Sequence, residues 1–338
     1  MGKISLFKKD LKVSTKRTIV FAALYALFFI VANVLIALGI IDSYISQILV
    51  RIGINIILAV SLNIVVGYLG QLPLGHAGFM AVGAYAGAIF LRALPSNVAN
   101  NMLFPAIIIG GVTAAIFGII IGLPALRLRG DYLAIITLGF GEIIRILIIN
   151  IDSVIGFDLT YGAASLKNIP KINTFLSTFI CVALVCILIT TLMRSRHGRA
   201  ILAVRDNEIA AESCGINIMF YKMLGFTISA FFAGVAGALY ATTFGILTPS
   251  SFGFMKSIEI LVMVVFGGIG SMIGSVISAS ALTALPQLLS GFEKYNMLLY
   301  SLILIIVMVF GNSPKFANLR TKIKAVFKRS QKGGEKVE

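Results

Sequence analysis

The chain has 338 residues, 59% hydrophobic and 12% charged, with 28 Lys and Arg against 13 Asp and Glu and a formal net charge of +15. No soluble domain of this length could hide so much apolar surface, and runs long enough to cross a hydrocarbon core of about 30 Å recur along it. Strand-length alternation is absent, which speaks against a β-barrel, and the three cysteines make no disulfide framework.

The pattern predicts an all-α, polytopic transmembrane helix bundle of ten spans. A basic leader over 1–17 precedes the first span, 18–40, which lacks a small-residue cleavage site and reads as retained. Further spans follow at 46–66, 74–91, 104–126, 132–150, 174–193, 222–244, 257–267, 271–289 and 297–311. They make one transmembrane domain over 18–313, closed by a basic tail over 314–338. Ten spans put both termini on one side. With that side cytoplasmic, 21 of the 28 Lys and Arg lie inside, and five lie outside: Arg92, Lys167, Lys171, Lys256 and Lys294. This is the positive-inside asymmetry. The leader and tail are flanks that lie against anionic lipid. No aromatic stacking surface accompanies the charge, so no nucleic-acid role is expected.

Taken in chain order, the first unusual stretch is Gly67, Gly70, Pro73, Gly75 and Gly78. It reads either as a broken, re-entrant helix start or as a plain cytoplasmic turn; irregular backbone at depth must line a cavity or be buried in protein. His76 sits inside this cluster and Tyr85 on the span that follows. Small residues four apart on one helix face, at Gly83/Gly87, Gly118/Gly122, Ala233/Gly237 and Gly270/Gly274, suit close helix packing. Asp131 stands at a helix start, where it favours the dipole. Glu142 and Arg145 are three apart and are expected to pair. Glu259 lies just inside the eighth span. Each ionisable group is read as lying within about two turns of a predicted boundary, where pairing or snorkelling accounts for it. Gly75, His76, Gly78, Tyr85 and Glu142 are the candidate lining of a translocation path.

Between Arg194 and Lys222 the chain turns polar: RSRHGRAILAVRDNEIAAESCGINIMFYK. Ile201, Leu202 and Val204 can continue the sixth span out of the bilayer. Asp206 then reads as an N-cap, Glu208 as a first-turn acid and Gly215 as the residue past the helix end. The result is a short surface helix from about Asn207 to Cys214. Its apolar side offers mainly Ile209 with Ala210 and Ala211, too little for a lipid-bound helix and suited to a protein groove. A solvated connecting loop is the plainer alternative.

Other chemistry is not signalled. The chain has no G-x-x-x-x-G-K-[ST] phosphate loop, no H-E-x-x-H and no Cys/His metal spacing, so no cofactor, metal or catalytic residue is expected.

The segment SRHGRAILAVRDNEIAAESCGI resembles the cytoplasmic loop of the branched-chain amino acid permeases of ATP-binding cassette importers. The resemblance extends through LNIVVGYLGQLPLGHAGFMAVGAYA, LRGDYLAIITLGFGEIIRI, KMLGFTISAFFAGVAGALYA and SIEILVMVVFGGIGSMIGSV, in that order, from about Leu62 to Leu289. Against the general importer pattern Glu-Ala-Ala-x-x-x-Gly, Ala210, Ala211 and Gly215 align. Ile209 occupies the Glu position, and Glu208 stands one residue early.

The resemblance implies a permease subunit with a coupling segment over 194–221, in which Arg205, Asn207, Glu208, Ala210, Ala211 and Gly215 meet an ATPase. It implies as partners a homologous second permease, two cytoplasmic ATPase subunits that bind the ATP, and an extracytoplasmic solute-binding protein. The implied substrates are leucine, isoleucine and valine, moved by alternating access in the cell membrane. Urea or short-amide permeases of the same class, and an ion-coupled secondary transporter, are the alternatives. The last would need a coupling carboxylate near the bilayer midplane.

Overall fold

The computed structural model describes residues 42–288, apart from 100, 129, 157–159 and 163–164. The expected spans 18–40 and 297–311, the leader, the tail and Lys294 lie outside these residues. All eight interior spans fall on helices. We label the main helices α1 (Ser43–Asn63), α2 (His76–Arg92), α3 (Leu103–Ala125), α4 (Asp131–Ile155) and α5 (Phe175–Arg194). They continue with α6 (Arg196–Asp206), α7 (Glu208–Ser213), α8 (Ile218–Phe244), α9 (Phe254–Gly267) and α10 (Met272–Leu288). No strand forms among the described residues; one isolated bridge joins Leu166 and Leu247.

Helix ends follow local chemistry. Thr174 and Ser177 form a capping box at the start of α5, and Asn217 accepts from the Phe220 N–H at the start of α8. α4 and α8 end on Gly156 and Gly245, whose positive φ of 83° and 73° disfavours any residue with a Cβ.

The centre of the bundle is α2, α3 and α8, packed backbone to backbone. Gly83 faces Gly234, Gly87 faces Ala238 and the Ala106 carbonyl, and a Cβ at Gly237 would overlap the Met80 carbonyl. On α3, a Cβ at Gly118 would press on Ala230 and one at Gly122 on Met223 and Phe226. Three of the four small-residue pairs are therefore packing faces. The fourth is different: Gly270 is not helical but sits in the α9–α10 turn at φ 82°, against Gly67, while Gly274 packs on Gly267. α1, extended by a π turn over Ile64–Tyr68, is the most enclosed membrane-length helix among the described residues, with 78% of its window buried.

The loops fall at two ends. At one end lie Arg127, Arg194, Arg196, Arg199 and Arg205; at the other lie Arg92, Lys167 and Lys171. That separation follows the expected charge asymmetry across the described spans.

Two segments turn back into the bundle. Leu74 N–H donates to Thr137 Oγ1, Gly75 packs on the Thr137 carbonyl, and Gly78 packs on Gly141. His76 meets Ser61, seven residues and so about 10 Å before the end of the π turn. The Gly-Pro stretch is therefore a re-entrant helix start, and α2 begins inside the bundle. Likewise the chain after α8 returns inward. The Leu247 carbonyl accepts from Tyr85 Oη at 3.3 Å, Phe252 packs on Tyr85 and Tyr240, and Phe254 N–H reaches Glu142 Oε1 at 3.1 Å.

α9 thus starts beside the middle of α4. With 14 residues it is about 20 Å long, shorter than a hydrocarbon core. This corrects the placement of Lys256 in an outside loop. It is in the first turn of α9, with Nζ 3.4 Å from Asn55 Oδ1 at the middle of α1 and 3.1 Å from Glu259.

Candidate functional site

The polar segment folds into two short helices. α5 stops at Arg194 because Ser195 takes an extended conformation, and its Oγ accepts from the N–H groups of His197 and Gly198. The expected continuation of the sixth span is thus a separate helix, α6, whose buried side is Ala200, Ile201 and Val204. α6 includes Asp206 as its last residue, so Asp206 cannot be the next N-cap. That role falls to Asn207, extended at φ −160°, whose Oδ1 accepts from Ala210 N–H at 3.0 Å. Asp206 binds the guanidinium of Arg205 instead.

At the far end of α7, Ile216 N–H reaches the Ala211 carbonyl and Gly215 N–H the Glu212 carbonyl. This is a Schellman closure with Gly215 at φ 80°, as expected. No atom lies within 4 Å of a Cβ built there, so conformation alone asks for glycine.

Two charged residues expected to meet a partner bind this chain. Glu208 Oε1 lies 2.5 Å from Nζ of Lys222, a buried residue in the first turns of α8. Arg205 Nη1 donates at 2.9 Å to the carbonyl of Gly67 in the π turn, and its stem lies against Gly70, where a Cβ would stand 2.8 Å from its Cγ. Ala211 is 4% exposed and holds α7 to the bundle, so it is not part of an open face. The open face is Ile209, 78% exposed, with Ala210, Glu212 and Ser213. A cleft of about 420 Å³ beside it is lined by Gln71, Asp131, Arg205 and Ile209.

Inside the membrane span the expected path residues separate. His76 is buried with Nε2 3.0 Å from Ser61 Oγ, Tyr85 is buried against Leu247, and Gly75 and Gly78 seat α2 on α4. Only Glu142 is part-exposed, paired with Arg145 Nε at 2.7 Å as expected. It is the twelfth of 25 residues in α4, mid-helix and not near an end. The sequence does not single out Lys222, nor does it bring Asn55, Lys256, Glu259 and Thr283 together. Asn55 Nδ2 donates to Thr283 Oγ1 at 2.9 Å. The i,i+3 charges are visible in the sequence; the cross-helix partners are not. Among the described residues no cluster of metal-binding side chains forms.

Comparison with known proteins adds a family. The model for "Branched-chain amino acid transport system / permease component" matches residues 44–310. Over 291 residues the chain is 36% identical to the high-affinity branched-chain amino acid transport system permease protein LivM of Escherichia coli, covering 76% of this chain and 66% of that one. Over 316 residues it is 34% identical to the Salmonella typhimurium protein of the same name, covering 83% and 72%. It is 25% identical over 234 residues to the nucleoside ABC transporter permease protein NupC of Lactococcus lactis, covering 62% and 71%. The chain thus spans about two thirds of the length of the Escherichia coli relative.

Proposed function

The chain belongs to the family of branched-chain amino acid transport permease components, a multi-pass membrane protein family, and from that premise we propose that it is one permease of an ATP-driven importer for leucine, isoleucine and valine. The complex contains a second, homologous permease, two cytoplasmic ATPase subunits that bind and hydrolyse the ATP, and an extracytoplasmic binding protein. α7 is the contact with an ATPase. The observation that carries this is its construction. A six-residue helix could not hold itself, yet α7 is capped at both ends, anchored by Ala211 and the Glu208–Lys222 pair, and open at Ile209 and Ala210.

When the ATPases close on ATP, movement of α7 reaches α8 through Glu208–Lys222. The same movement acts on the π turn of α1 through Arg205 and the Gly67 carbonyl. The bundle then exchanges between two arrangements around a path.

The test is uptake in cells depleted of ATP with the proton gradient maintained. Leucine uptake is expected to stop. Uptake that follows the gradient and ignores ATP would identify a secondary transporter. The likeness to the nucleoside permease supports a second substrate reading; uridine uptake exceeding leucine uptake would establish it.

A further inference from the structure

Among the described residues α4 is the least covered of six membrane-length helices: 17% of its window is buried in the chain. Its outer face carries Ile135, Ile143 and Ile146, all at least 49% exposed. Those three could rest on lipid; Glu142 and Arg145 could not. The pair lies about 17–21 Å along a helix of about 36 Å, with side chains 31% and 30% exposed. A part-open charged pair at mid-span needs water or polar protein against it.

The two residues are not equally committed. Glu142 uses both carboxylate oxygens, one on Arg145 Nε and one on Phe254 N–H. Arg145 uses only Nε. Its two terminal nitrogens have no partner among the described residues. A guanidinium fixed at Nε by a carboxylate that is itself fixed by backbone keeps its planar fork ordered for a second, bidentate carboxylate. Lys256 is the poorer candidate, a point charge already shared between Asn55 and Glu259.

We propose that Arg145 receives the carboxylate of the transported amino acid partway along its path. Glu142 is the positioning residue, and Ile143 and Ile146 offer apolar surface beside it for a branched side chain. This rests on the import of amino acids proposed above and adds the binding site within the membrane. α4 therefore faces the path, and a second permease closes it from the other side.

The test uses the full complex reconstituted in liposomes, with Cys181, Cys186 and Cys214 replaced and Ile146→Cys introduced. If the unmutated complex takes up no leucine, the importer reading fails before this one is reached. Given uptake, the Ile146→Cys variant is expected to react with a membrane-impermeant methanethiosulfonate, and leucine-loaded binding protein with ATP should slow labelling at least fivefold. Arg145→Gln should abolish that protection and lower uptake at least tenfold, with ATPase subunits still bound. Arg145→Lys keeps the ion pair with Glu142 and the fold, and should transport at under a third of the normal rate. Failure of the Ile146→Cys variant to react, labelling that ignores leucine, or full uptake by either Arg145 variant would overturn the proposal. The first of these would place α4 against lipid or in a dry subunit contact.

Discussion

At the scale of single residues, neighbours in sequence take opposite roles. The sequence presents Ala210 and Ala211 as one small docking face, yet Ala210 is exposed and Ala211 is 4% exposed within the chain. A six-residue helix has no periodicity to reveal which side is inward, so sequence cannot divide them. The Glu208–Lys222 pair is equally hidden, because its partners are fourteen residues apart on different helices. It makes an asymmetric prediction. Lys222 is 7% exposed at its side chain and Glu208 33%, so losing Glu208 strands a buried ammonium, whereas losing Lys222 leaves a carboxylate that water reaches. Glu208→Gln should therefore destabilise the purified complex by more than Lys222→Met, about 2–3 against about 1 kcal/mol. Thermal denaturation of the two variants checks this, and the reverse order would contradict it.

At the scale of the helix, caps decide whether α7 exists. Asn207→Ala removes the side-chain acceptor for Ala210 N–H and should cost about 1 kcal/mol. Frayed α7 should then recover fewer ATPase subunits on co-purification, with normal amounts of permease in the membrane. Ala210→Trp adds bulk on the open face and should leave the permease intact while the ATPases are lost. Ala211→Trp overfills an interior contact, where misfit typically costs about 1–3 kcal/mol, and should lower the yield of folded permease itself. Equal ATPase recovery from Ala210→Trp and the unmutated protein would return α7 to a connecting loop. The N-cap lies one residue beyond the position expected from sequence because Asp and Asn are comparable caps. Only the extent of α6 decides between them. Gly215 is legible because glycine past a short helix has few other uses.

At the scale of the molecule, the interior spans and the charge asymmetry are readable because both follow from transfer of whole segments into hydrocarbon. The re-entrant starts of α2 and α9 are harder. The Gly-Pro stretch before α2 reads equally as a re-entrant start or a plain turn, and the run of α9 reads as a short span. Only cross-helix bonds, from Leu74 to Thr137 and from Phe254 to Glu142, show where along its neighbours each helix begins. The charged groups of α4 and α9 are for that reason expected too near the membrane surface. Three cysteines offer a direct view of the arrangement. Cys181 and Cys186 lie within α5, and Cys214 is exposed where α7 closes.

The central claim is that α7 lies on the cytoplasmic side and is covered by an ATPase subunit. The most direct measurement is labelling of native Cys214 by a membrane-impermeant maleimide, in intact cells and in inverted vesicles, with the ATPase subunits present and after their removal. Cys214 should be silent in intact cells, slow in inverted vesicles that retain the ATPases, and at least several-fold faster once they are stripped. Reaction in intact cells, or a rate in inverted vesicles that the ATPases do not change, would contradict it.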